Sequence, residues 1–232
     1  QYQDLSIRGV PIRDTRYQAL QLSAQRPFVN GFNFLMGYNY NRGRSQEFYD
    51  NVDTFDRRLS YQITNFDLPR HKFTLGGIYE LPFGRGRKWM SSGPRALDLI
   101  FGGWSASTIY LYTSGTFLQF GPARVNGDPL AGEQSRARWF NTDVFSVLPG
   151  FTRRSNPWHY EVLTGPYFSN LDLTLSKNFA VTEKVSFELR MESYNLTNSF
   201  MGADTTNNVT SGNIGKVINK RRGFSGSQLQ YS

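Results

Sequence analysis

Cysteine is absent from the 232 residues, so disulfide frameworks and thiolate metal sites are excluded. Histidine is nearly absent too: His71 and His159 stand far apart, and neither has the HExxH type of spacing that zinc requires. No metal or cofactor is expected. Ser92, Ser107 and Ser114 lie outside any GxSxG elbow. Glu188 and Glu192 would stand roughly 13 Å apart along a strand, too far for a glycosidase pair. The sequence therefore names no catalytic residue, and the chain is not expected to be an enzyme.

Long apolar runs are also missing. No window approaches the roughly 18 residues of a membrane helix, and mean hydropathy is −0.50. That excludes a transmembrane helix but not a membrane, because barrel strands need only about 9–11 residues of alternating polarity. The opening "QYQDLSIRGV" lacks the basic and apolar regions of a signal peptide, so the chain is expected to be mature or a piece of something longer.

Aromatic residues and glycine are plentiful: 16% aromatic, with 19 Phe, 13 Tyr and 22 Gly, a balance that favours strands and turns. The formal charge of +8 sits in short runs, "GRGRK" (84–88), "RR" (153–154) and "KRR" (220–222), with no reading helix or aromatic RNA platform. Nucleic acid is therefore not an expected partner. Arg153, Arg154, Lys220, Arg221 and Arg222 are read as solvated loop charge or as contacts for lipopolysaccharide phosphates.

In "GFNFLMGYNY" Phe32, Phe34, Met36, Tyr38 and Tyr40 share one parity, and Asn33, Leu35, Gly37 and Asn39 the other, which is the period of a β-strand. About seven such strands are readable: 16–26, 31–40, 72–81, 104–113, 169–179, 185–195 and the closing "GSQLQYS". The apolar parities carry Phe73 and Leu75; Leu171, Leu173 and Leu175; Phe187 and Leu189. Lys72, Glu80, Glu188, Arg190 and Glu192 fall on the opposite parities, charges that a small soluble barrel could not bury cheaply. The fourth strand is softer, because Ile109 and Leu111 oppose Trp104, Ala106, Thr108, Tyr110 and Tyr112.

The connections alternate in length. Short or medium ones are expected at about 27–31, 82–102 and 180–184, and long ones at about 43–69, 115–165 and 198–225. Outer-membrane barrels alternate brief periplasmic turns with extended outside loops in this way. The reading is an all-β, antiparallel, up-and-down transmembrane barrel segment, with the apolar parities toward lipid and the charged ones toward the lumen. A soluble secreted β-sandwich that binds glycans, or a small self-contained outer-membrane porin, would share much of this pattern. Tyr38, Tyr40, Tyr110 and Tyr112 are placed where an interfacial girdle would lie, with Trp104 toward the other rim. Trp139, Phe140, Trp158, His159 and Tyr160, in the largest loop, are candidates to contact a ligand by stacking or to pack the loop against itself.

The segments "RYQALQLSAQRPFVNGFNFLMGYNYNR", "LPRHKFTLGGIYELPFGRGRKW", "FGGWSASTIYLYTSGT", "RWFNTDVF", "GPYFSNLDLTLSKNF" and "RMESYNLTNSF" follow one another in an order that resembles the C-terminal barrel of the Oar-like TonB-dependent outer-membrane receptors. The resemblance implies the last third of a barrel of about 22 strands. It also implies energy-coupled uptake of a large or scarce solute, a TonB complex engaged through a plug domain that this chain lacks, and a place in the outer membrane among lipid and lipopolysaccharide. The family ends its last strand on an aromatic residue, whereas this sequence stops at Tyr231-Ser232.

Overall fold

The computed structural model describes residues 13–47, 61–64, 68–152, 156–180, 185–219 and 228–231. The strands are β1 (Arg13–Val29), β2 (Phe32–Glu47), β3 (Gln62–Thr64), β4 (His71–Glu80), β5 (Trp104–Thr113), β6 (Phe117–Gln119), β7 (Ala123–Val125), β8 (Phe145–Val147), β9 (His159–Thr164), β10 (Phe168–Ala180), β11 (Ser186–Tyr194) and β12 (Gln228–Tyr231). One short helix, α1 (Arg95–Phe101), interrupts them.

A single antiparallel sheet runs in the order β1-β2-β4-β5-β10-β11-β12, with β3 added on β2. Once the short strands β3 and β6–β9 of the connections are set aside, neighbours in the sheet are successive in the chain, the up-and-down arrangement expected. β1 and β12 are not paired with each other, so the described sheet is open. Because adjacent strands are antiparallel, the β1–β2, β4–β5 and β10–β11 connections share one end. The three long connections share the other.

The first hairpin closes on Asn30 and Gly31, both at positive φ (56° and 76°). That pair of conformations matches the right-handed twist of the flanking strands, and Asn-Gly is the dipeptide that adopts it most readily. A bulge between Arg26 and Val29 absorbs one residue just before the turn.

Two expectations shift. β2 does not stop near Tyr40 but continues to Glu47, through the start of the expected loop at 43, because β1 and β3 pair with its far half. The 82–102 connection contains α1, which the strand-rich composition did not suggest. Pro94 before it and Gly102-Gly103 after it are the usual punctuation of a short helix. Residues 48–60, 65–67, 153–155, 181–184 and 220–227 lie outside the described residues, and with them Arg153, Arg154, Lys220, Arg221, Arg222 and most of the expected 180–184 turn.

Buried apolar side chains among the described residues are Ile63, Phe117, Leu118, Phe120, Ala123, Phe140, Val144, Phe145, Leu163, Phe168, Met201 and Val217. All but Phe168, the first residue of β10, lie outside the long strands β1, β2, β4, β5, β10 and β11. Among the described residues the sheet has no second layer, and the core sits beyond its loop end. A sandwich would show the reverse.

Candidate functional site

Register carries the side-chain parity from strand to strand. Phe34 pairs with Gly77, Leu75 with Tyr110, Tyr110 with Leu171, and Lys177 with Leu189. Phe32, Phe34, Phe73, Leu75, Leu171, Leu173, Leu175, Phe187 and Leu189 therefore stand on one face. Lys72, Glu80, Glu188, Arg190 and Glu192 stand on the other. There Arg190 lies between two carboxylates of its own strand face, 3.1 Å from Glu188 and 3.8 Å from Glu192, and Arg87 reaches Glu80 at 2.7 Å. These pairs keep the charges matched on a surface that is open to water. The softness of the fourth strand also resolves: Ile109 stands beside Gly76, which pairs in turn with Leu35, so they form an apolar island on the polar face.

The apolar face ends in aromatic side chains at both rims. At the loop end Tyr38 Oη lies 2.9 Å from His71 Nδ1, and the Tyr40 ring centroid is 5.3 Å from that of His71. Tyr110 packs beside Phe73, and Tyr112 beside Tyr167, each pair at 6.0 Å between centroids. At the opposite rim the Trp104 indole donates to the carbonyl of Ile100 at 2.9 Å. Tyr38, Tyr40, Tyr110 and Tyr112 thus share one end and Trp104 the other. From Phe32 to Tyr40 this band measures about 27 Å along the strand, by the usual strand rise.

Beyond the loop end the β5–β10 connection folds into a module of its own. β6 enters its pairing with β9 in the register that β5 and β10 already hold, since Phe117 meets Thr164 four residues beyond the Thr113–Phe168 pair, and the register then shifts before Gln119 meets His159. β7 pairs with β8. Leu118, Phe120, Phe140, Val144, Phe145 and Leu163 form its core, with the Phe120 and Phe145 rings stacked at 5.1 Å and Phe140 edge-on to both. Asn156, wholly buried, accepts from the Ala123 N–H at 2.9 Å and donates to the carbonyls of Gly121 and Pro157.

The β11–β12 connection interlocks with this module. Trp139 N–H donates to the Gly215 carbonyl at 2.7 Å and Val217 N–H to that of Arg136 at 2.8 Å, while Val209 and Ile214 pack on the core. The module is also tied to the sheet: Glu161 of β9 pairs with Arg44 of β2 and lies 3.8 Å from Arg42, and the Arg70 guanidinium covers the Phe117 ring. Separate loops were legible in the sequence; their union was not, because it rests on contacts between segments far apart in the chain.

The five loop residues proposed from sequence are distributed within this cap. Phe140 is in the core, and Tyr160 lies edge-on to Phe120 at 5.5 Å, its phenol raised above the usual value by burial. His159 pairs with Gln119 at the start of β9, and the Trp158 carbonyl accepts from Phe120 N–H. Trp139 donates its indole N–H to the Thr164 carbonyl at 2.7 Å. With Tyr112, Tyr167, Arg138 and Asn141 it lines a cleft of about 360 Å³ between the cap and the strand ends. Arg138 is held there by Asn141 and Asp143. Among the described residues no group of His, Asp and Glu comes together to hold a metal ion, and no helix is long and apolar enough to cross a membrane.

No curated protein and no solved structure matches the chain. A family model does, over residues 7–230, nearly the full sequence; its description is "Outer membrane beta barrel domain". That accords with an up-and-down antiparallel sheet whose apolar face, away from the rim where α1 meets Lys177 and Trp104, is covered by no other part of the described chain. The chain belongs to the outer membrane beta barrel domain family, and its place is the outer membrane.

Proposed function

We propose that this chain is a sector of the wall of an Oar-like TonB-dependent receptor, whose work is the energy-coupled uptake of a large or scarce solute. The observation that carries the reading is the interlocked cap: two long connections build a folded, ligand-sized surface at one end of the sheet only. A simple pore has no use for such a structure, whereas a receptor must capture its solute before admitting it. Strands outside this sector complete the ring, and the charged face with Glu188, Arg190 and Glu192 lines the interior. The apolar face meets lipid, its tyrosines forming the outer girdle and Trp104 the inner one. A plug domain couples the barrel to the TonB complex, and lipopolysaccharide surrounds the cap. No bond is made or broken in the solute.

The test is uptake in cells. A strain deleted for the gene is grown on a panel of polysaccharides, peptides and chelated metals at limiting concentration. Loss of growth on one member is expected, with uptake of that member abolished by a protonophore in wild-type cells. Uptake that continues under the protonophore would identify a passive porin instead.

A further inference from the structure

The connection between β4 and β5 lies at the end of the sheet opposite the cap, and its composition is unusual for a turn. Leu97, Leu99, Ile100 and Phe101 of α1 are 40%, 50%, 59% and 49% exposed, and Trp89 before the helix is half exposed. Four basic residues, Arg85, Arg87, Lys88 and Arg95, stand against one acidic residue, Asp98. Arg87 is engaged by Glu80. Asp98 accepts from the Arg85 N–H at 2.7 Å, folding the basic turn against the helix. In water this run of apolar side chains would be a liability.

The helix is fixed to one side of the sheet. Lys177 and Trp104 are register partners on the apolar face, and both reach the end of α1. Lys177 Nζ donates to the carbonyls of Ile100 and Gly102 at 3.0 and 2.6 Å, and Trp104 Nε1 to that of Ile100. The Lys177 ammonium is also 5.2 Å from the Trp104 ring centroid and 4.9 Å from that of Phe179. The exposed helix thus continues the apolar face of the sheet, at the end opposite the cap.

We propose that α1 and the basic turn before it form an interfacial anchor seated on anionic phospholipid of the periplasmic leaflet. Leu97, Ile100 and Phe101, at helical spacing, enter the boundary between headgroups and acyl chains. Trp89 lies at headgroup level, and Arg85, Lys88 and Arg95 meet lipid phosphates. The anchor fixes the height of the strands in the bilayer on the side where the turns are too short to do so. It rests on the reading that the apolar face of the sheet meets lipid, but not on what the receptor transports.

This chain has no cysteine to remove, and any cysteine elsewhere in the intact protein is first replaced by serine. Leu97→Cys, Ile100→Cys, Ser92→Cys and, as a control within the sheet, Leu173→Cys are each spin-labelled in the intact protein folded into phosphatidylcholine–phosphatidylglycerol vesicles. Accessibility to oxygen and to an aqueous nickel chelate is then read. Labels at 97 and 100 are expected to favour oxygen several-fold over the label at 92, and to retreat toward water in an Arg85→Glu, Lys88→Glu, Arg95→Glu variant. Aqueous labels at 97 and 100 beside a lipid-buried label at 173 would overturn the anchor alone. An aqueous label at 173 would overturn the lipid-facing reading beneath it. Labels at 97 and 100 shielded from both reagents would place a protein partner there and overturn the proposal. A charge-reversed variant as deeply seated as the wild type would remove the role of phosphate.

Discussion

Gly115 and Gly165 meet back to back where the β5–β10 pair passes into β6–β9, so closely that a methyl group on Gly115 would overlap the Gly165 carbonyl oxygen. Neither φ is positive; the requirement is for space. Gly115→Ala is expected to part the two strands at this pinch and to loosen the cap by about 3 kcal/mol while sparing the sheet. Limited proteolysis of the folded protein checks this. Cleavage should appear within 115–165 and nowhere in the long strands β1, β2, β4, β5, β10 and β11.

Asn156 holds β7 from within the cap through one accepted and two donated hydrogen bonds. Asn156→Asp keeps the shape but turns a donor into an acceptor against two carbonyls. The expected loss is about 2–3 kcal/mol, since a buried polar group without its partner carries the full desolvation penalty. It would be seen as a lower melting temperature of the cap by near-ultraviolet circular dichroism.

Leu173 and Thr174 are adjacent in β10 and stand on opposite faces. Leu173→Arg is expected to destabilise the folded barrel in lipid by about 2–4 kcal/mol, the cost of a cation near the bilayer midplane. Thr174→Arg, opposite Glu192, should be close to neutral. Urea unfolding from vesicles separates the two: a larger loss for Thr174→Arg would mean that the faces are assigned the wrong way round, and equal losses that neither face meets lipid.

Burial raises the Tyr160 phenol above its ordinary value. The folded value exceeds the unfolded one, so the stability tied to this proton is complete below about pH 10 and lost as pH rises through the folded value. The cap should therefore melt at lower temperature as pH climbs from about 9 to 11. Tyr160→Phe should flatten that dependence.

The two faces of the sheet were readable because strand periodicity is local: each residue declares its face by its neighbours two positions away. Tyr38 and Leu173 could be placed this way without knowing which strands pair. The extent of β2 was not, because Arg42 and Arg44 break the apolar pattern while the backbone goes on pairing with β1 and β3. The strands of the cap were not visible either. At three residues, β6, β7 and β8 are too short for alternation to register. Phe140 and Tyr160 read as aromatic loop residues because nothing local distinguishes a ring that stacks on a ligand from one that stacks on Phe120. α1 did leave a trace, in Pro94 and the Gly102-Gly103 pair, but the aromatic and glycine content drew the reading toward turns.

The separation of the dry core from the sheet gives the molecule two solvents. The wall draws its stability from the bilayer, so thinner or thicker membranes, or a change of detergent, act on it directly. The cap is held by Phe120, Phe140, Phe145 and Asn156, all buried within it, so temperature and denaturant are expected to act on it separately from the wall. Its loops can therefore diverge in sequence and shape without renegotiating how the strands sit in the membrane.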